Sequence, residues 1–165
     1  MDRRTVLKVL TASTLRAANQ CGTSSDFAAY QFAFFTADEQ SMLERLMELI
    51  IPSDDHSPGA KAARVPAFAD LMIATGSDRT KTAWRAGLAA LRTAEKDQPL
   101  EAVLAQAASE EDAPKSELGR FFVELKRMTV DGYYTSTVGI HDDMGYVGNQ
   151  HLTAAPECNH PEHKS

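Results

Sequence analysis

Three short stretches place side chains able to bind a metal or move a proton close together. Asp54, Asp55 and His56 are consecutive, as are His141, Asp142 and Asp143, and Cys158, His160 and His163 form a Cys-x-His-x-x-His run near the C-terminus. Carboxylates and imidazoles on loops ligate divalent metals, and a thiolate with two imidazoles offers three zinc ligands. A structural zinc site needs four, and no spacing here identifies the fourth. Ligand count therefore favours solvated loops over a metal centre in each case. The competing reading is a stand-alone metal-binding protein or metal-dependent enzyme using His56, His141, His160 and His163. The two cysteines, Cys21 and Cys158, form no C-x-x-C pair and no C-x-x-C-H haem attachment site. No glycine-rich dinucleotide fingerprint, phosphate loop or nucleophile elbow occurs either, so the sequence leads us to expect no cofactor and no catalytic residue in this chain.

The elements that would position these residues are helical. The chain has 165 residues, 43% of them apolar and 24% charged, which is enough for one domain with a real core. A formal net charge of -6 argues against nucleic acid as a partner. With no apolar run of 18 residues, no transmembrane helix is expected in the mature chain.

Thr36 and Glu39 have the spacing of a capping box. Met42, Leu43, Leu46, Met47, Leu49 and Ile50 then form a broad apolar face, and Pro52 stops the helix near Ile51. The polar loop Ser53–Ala60 follows, with a turn at Pro58-Gly59, and Pro66 suits the first turn of the next helix. We take Thr36–Leu71 as the organising stretch. Ser77 caps a long helix to about Asp97, in which Trp84, Leu88 and Leu91 line one stripe. Pro99 opens another, with Leu100, Val103, Leu104 and Ala107 as its apolar face. After an acidic linker, a helix from about Pro114 to Asp131 carries Leu118, Phe121, Phe122, Leu125 and Met128 at helical spacing. No stretch shows strand alternation. The expected fold is all-α, a compact irregular bundle of about five helices with a long, non-regular C-terminal tail.

Both ends differ from this body. Arg3, Arg4, Leu7 and Lys8 read as a twin-arginine export signal, so residues 1–25 are taken as signal and lead-in, 26–132 as the helical domain and 133–165 as the tail. The apolar segment Val9–Leu15 is short and Arg16 interrupts it, which leaves cleavage and lipidation open. Phe27, Tyr30, Phe32, Phe34 and Phe35 concentrate rings before the first helix. An arm packing over the core is the plainer reading, a partner-binding arm the sharper one. The tail has glycine turns, several aromatics and sparse charge, and is either docked on a partner, the reading we favour, or wrapped on its own bundle. Tyr133, Tyr134, His141, Tyr146, Cys158 and His160 are the candidate contacts. In an oxidising compartment Cys158 is free to bridge to Cys21 or to another chain.

Several of these pieces in this order resemble one family. Phe34-Phe35-Thr36, Ile50-Ile51-Pro52, Ser57-Pro58-Gly59-Ala60, Val65, Phe121-Phe122, Gly132–Ser136, Gly145–Gly148 and the ending Cys158–His163 are similar to the gluconate 2-dehydrogenase subunit 3 family, small subunits of FAD-dependent sugar and polyol dehydrogenases. The ending looks like that of members paired with glycoside 3-dehydrogenase flavoproteins. The resemblance implies an accessory subunit that supports folding, stability and twin-arginine export of a large flavoprotein of the glucose-methanol-choline type. FAD would lie in that partner, electrons would pass to a c-type cytochrome or quinone, and the location would be periplasmic. The family supplies no catalytic residue to transfer.

Overall fold

The computed structural model describes residues 30–149. In these residues the chain forms six α-helices and one π-helical segment, and among the described residues there is no strand. We label them α1 (Ala37–Ile50), α2 (Gly59–Ala62), α3 (Val65–Ala74), α4 (Asp78–Ala94), α5 (Leu100–Ala108) and α6 (Glu117–Tyr134), with the π-helical segment at Val138–Asp143. The fold is all-α, as the periodicity predicts. The helix beyond the expected five is the single turn α2, too short to leave a periodic signature.

Helix starts follow the local chemistry of the sequence. The Thr36 hydroxyl accepts from the Glu39 amide while Glu39 reaches back to the Thr36 amide, completing the capping box. Ser77 and Ser116 accept from the amides of Thr80 and Gly119 at the starts of α4 and α6. Each such cap contributes about 1 kcal/mol. Pro99 sits at the start of α5, where its missing amide costs nothing.

Although Thr36–Leu71 is the best-punctuated stretch, α6 is the hub, packing against α1, α3, α4, α5 and the π-helical segment. Its predicted stripe is the reason, since Phe121, Phe122, Leu125 and Met128 are all buried. Leu88 and Leu91 of α4 and Leu100, Val103, Leu104 and Ala107 of α5 join the same core. Trp84, also in this core, is 2% exposed and stands between Phe35 and Phe121, with ring centroids 5.8 and 5.3 Å away. Burying each of these large side chains is worth about 1.5–3 kcal/mol. Gly87 allows Phe121 to come this close, because a β-carbon there would lie 2.1 Å from Phe121 Cδ2.

The structure adds one detail to the apolar face of α1 and corrects the extent of the tail. Leu49 is not part of the buried face of α1. It is 41% exposed and, with Ile50, Leu104, Ala105, Ala108 and Phe122, lines an apolar groove between α1, α5 and α6. Regular structure also reaches beyond Tyr133, because α6 continues to Tyr134 and the π-helical segment follows. Glycine-rich sequence without periodicity concealed that segment. It is held by contact, with Gly139 so close to α6 that a β-carbon there would meet the Tyr133 carbonyl at 2.2 Å.

Candidate functional site

The loop Ser53–Gly59 is closed by its own chemistry. Asp54 Oδ1 accepts from the amides of His56 and Ser57 at 2.8 and 2.7 Å, and the Asp54 amide donates to the Ser57 carbonyl. The hydrogen bonds from the His56 and Ser57 amides hold the Asp54 carboxyl below its ordinary range. Glu48, at the end of α1, accepts from the amides of Ser53 and Lys61 and so ties both ends of the loop. Gly59 has a φ of 84°, and a β-carbon there would collide with Glu48 and the Ser53 amide. The loop thus uses Asp54 to build a turn, and leaves Asp55 and His56 exposed to solvent.

Ser57 and Tyr133 connect this loop to α6. Their hydroxyls lie 2.7 Å apart, and Tyr133 has no exposed surface. Burial pushes the Tyr133 hydroxyl above its ordinary value, against the effect of the Ser57 hydrogen bond and together with the charge of Asp143. Tyr133 is therefore a core residue locking the loop to the hub helix, a correction to its place among the partner contacts.

Sequence reasoning missed the most heavily bonded carboxylate among the described residues. Asp70 lies in the apolar helix α3 with no exposed surface. Its carboxylate accepts from the Tyr30 hydroxyl at 2.8 Å and from the amides of Ala33, Phe34 and Phe35 at 2.7, 2.9 and 2.7 Å. A lone carboxylate within Val65–Ala74, whose other residues are apolar, was the available signal, since a buried charge must find donors. Desolvation, the hydrogen bond to Asp70 and the Asp70 charge together raise the Tyr30 hydroxyl to about 12.

A second clamp comes from α4. Arg85 pairs with Glu39, donates to the Phe34 carbonyl at 2.6 Å and stacks over the Phe34 ring at 4.1 Å. Burial would raise the Glu39 carboxyl, but hydrogen bonds from Arg85 and Thr36 outweigh it and bring it below its ordinary value. The plainer reading of the arm holds for residues 30–36: Phe35 is buried, and Phe32 and Phe34 pack against the core.

The remaining candidates fall into two groups. Arg3, Arg4, Leu7, Lys8, Cys21, Phe27, Cys158, His160 and His163 lie outside the described residues. Tyr134, His141 and Tyr146 lie at the far end of α6 and beyond it. The Tyr134 ring meets Tyr133 edge-on at 5.1 Å, while His141 Nδ1 donates to the Tyr146 carbonyl and its ring stacks on that of Tyr146. His56 and His141 belong to no shared cluster, and among the described residues no three His, Cys, Asp or Glu side chains are placed to hold a metal ion. No helix among the described residues is long and apolar enough to cross a membrane.

A sequence model for gluconate 2-dehydrogenase subunit 3 matches residues 37–151. No curated protein and no solved structure matches the chain.

Proposed function

Because the chain belongs to the gluconate 2-dehydrogenase subunit 3 family, we propose that it is the non-catalytic small subunit of an exported FAD-dependent sugar or glycoside 3-dehydrogenase. In this reading the large subunit is a glucose-methanol-choline type flavoprotein that holds FAD and substrate, and passes electrons to a c-type cytochrome or quinone. The small subunit supports the folding and stability of that flavoprotein and carries the twin-arginine address for the pair to the periplasm. The observation that carries the proposal is the family match, which runs from the start of α1 past the π-helical segment. The use made of the polar residues agrees with it. Asp54, Ser57, Asp70 and Glu39 are committed to closing loops and anchoring the arm, work suited to a rigid supporting body.

The export part is tested by Arg3→Lys/Arg4→Lys in the native host. Loss of both subunits from the periplasmic fraction is expected, because a twin-arginine address is read as a pair. Normal export of both subunits would remove that part of the proposal.

A further inference from the structure

The segment after α6 is ordered yet presents apolar side chains to solvent. The Met144 amide donates to the Gly139 carbonyl at 3.0 Å and the Tyr146 amide to the Ile140 carbonyl at 2.9 Å. His141 donates to the Tyr146 carbonyl, and the Tyr146 hydroxyl donates to Asn149 at 2.7 Å. On this self-bonded turn Met144 is 55%, Tyr146 46% and Val147 76% exposed, and Tyr134 at the end of α6 is 43% exposed. Ordered backbone carrying large exposed apolar groups marks an interaction surface. Met and Tyr are also the residue types enriched in the buried centres of interfaces.

The segment that carries this turn is acidic in sequence. No lysine or arginine occurs between Arg127 and Asn149, while Asp131, Asp142 and Asp143 all lie in that interval. Asp131 is paired with Arg127 at 3.7 Å, which leaves exposed Asp142 and half-buried Asp143 as the charges next to the turn. We propose that the turn Met144–Val147, with Tyr134, docks against an apolar face of the large dehydrogenase subunit that is rimmed by lysine or arginine. This rests on the small-subunit reading above. The apolar side chains supply the buried centre, and the aspartates steer association and fix its register.

The test uses the full-length tagged chain expressed with its flavoprotein subunit, and reads flavin absorbance per mole of captured chain. Met144→Asp/Val147→Asp is expected to reduce capture at least tenfold. Asp142→Asn/Asp143→Asn is expected to reduce capture several-fold at low salt and to match wild type at high salt. Leu71→Asp/Met72→Asp, which changes exposed apolar residues on α3, is expected to capture as wild type does. Undiminished capture by the turn variant overturns the docking surface alone, and so does equal loss in the α3 variant. A fall of several degrees in the thermal midpoint of the turn variant, measured without partner, also overturns it, because the chain's own residues would then cover the turn. A wild-type chain that captures no flavoprotein overturns the small-subunit reading and this inference with it.

Discussion

Two irregular segments flank the helical bundle, one before α1 and one after α6, and both are rich in aromatic residues. The arm at residues 30–36 is bound by groups from elsewhere in the fold: Asp70 from α3, Arg85 from α4 and Glu39 from α1. Its Phe35 is 4% exposed. The turn at residues 144–149 is bonded to the π-helical segment just before it and to itself, and leaves its apolar side chains outside, with Val147 76% exposed. The contrast shows that aromatic content alone does not tell where a segment docks. A buried acceptor such as Asp70 draws the arm inward, and the turn has no equivalent anchor among the described residues. The arm serves this chain's own stability, and the proposed role of the turn is to bind the partner subunit.

The sharpest way to break this contrast is to remove the anchor. Asp70→Ala leaves three backbone amides and the Tyr30 hydroxyl without their acceptor, and is expected to cost about 3–5 kcal/mol in chemical denaturation. A loss below about 1 kcal/mol would mean that the carboxylate does not hold the arm. Tyr133→Phe removes the bond to Ser57 from a buried site and is expected to cost about 1 kcal/mol while leaving α6 helical by circular dichroism.

Alkaline titration sharpens the arm's side of the comparison. The Tyr30 hydroxyl is raised in the folded state from 10.0 to about 12, so its contribution is complete below pH 10 and is lost as pH climbs through about 12. Wild type should lose stability across that window relative to Tyr30→Phe, and parallel curves would contradict the Tyr30–Asp70 bond. The smallest effect belongs to the turn. Met144→Asp/Val147→Asp is expected to shift the stability of the isolated chain by no more than about 0.5 kcal/mol, as a substitution of exposed side chains should. Equal sensitivity of arm and turn to substitution would erase the distinction between them.

Much of the bundle was legible before any coordinates. The Thr36–Glu39 box, Ser77, Pro99 and the stripe from Leu118 to Met128 are local signals, and local signals survive folding. The exposure of Leu49 was not legible because six apolar residues make a face wider than its neighbours cover. The π-helical segment was hidden because Gly139 is held by the end of α6, a contact no local pattern encodes. The role of Asp54 was hidden similarly, since a solvated Asp-Asp-His loop gives no local sign that the amides of His56 and Ser57 converge on Asp54 Oδ1. Tyr133 stood next to Tyr134 as an apparent surface pair, yet helical rotation sends one inward to Ser57 and the other outward. Asp70 could have been found by asking why one carboxylate sits in Val65–Ala74.

In the proposed reading this chain serves a larger flavoprotein. The most direct test of that reading is native affinity purification from the cell envelope, with an absorption spectrum of the eluate before and after addition of sugar substrates. Co-elution of a much larger subunit with flavin bands that a sugar bleaches is expected. A colourless eluate containing this chain alone would contradict it.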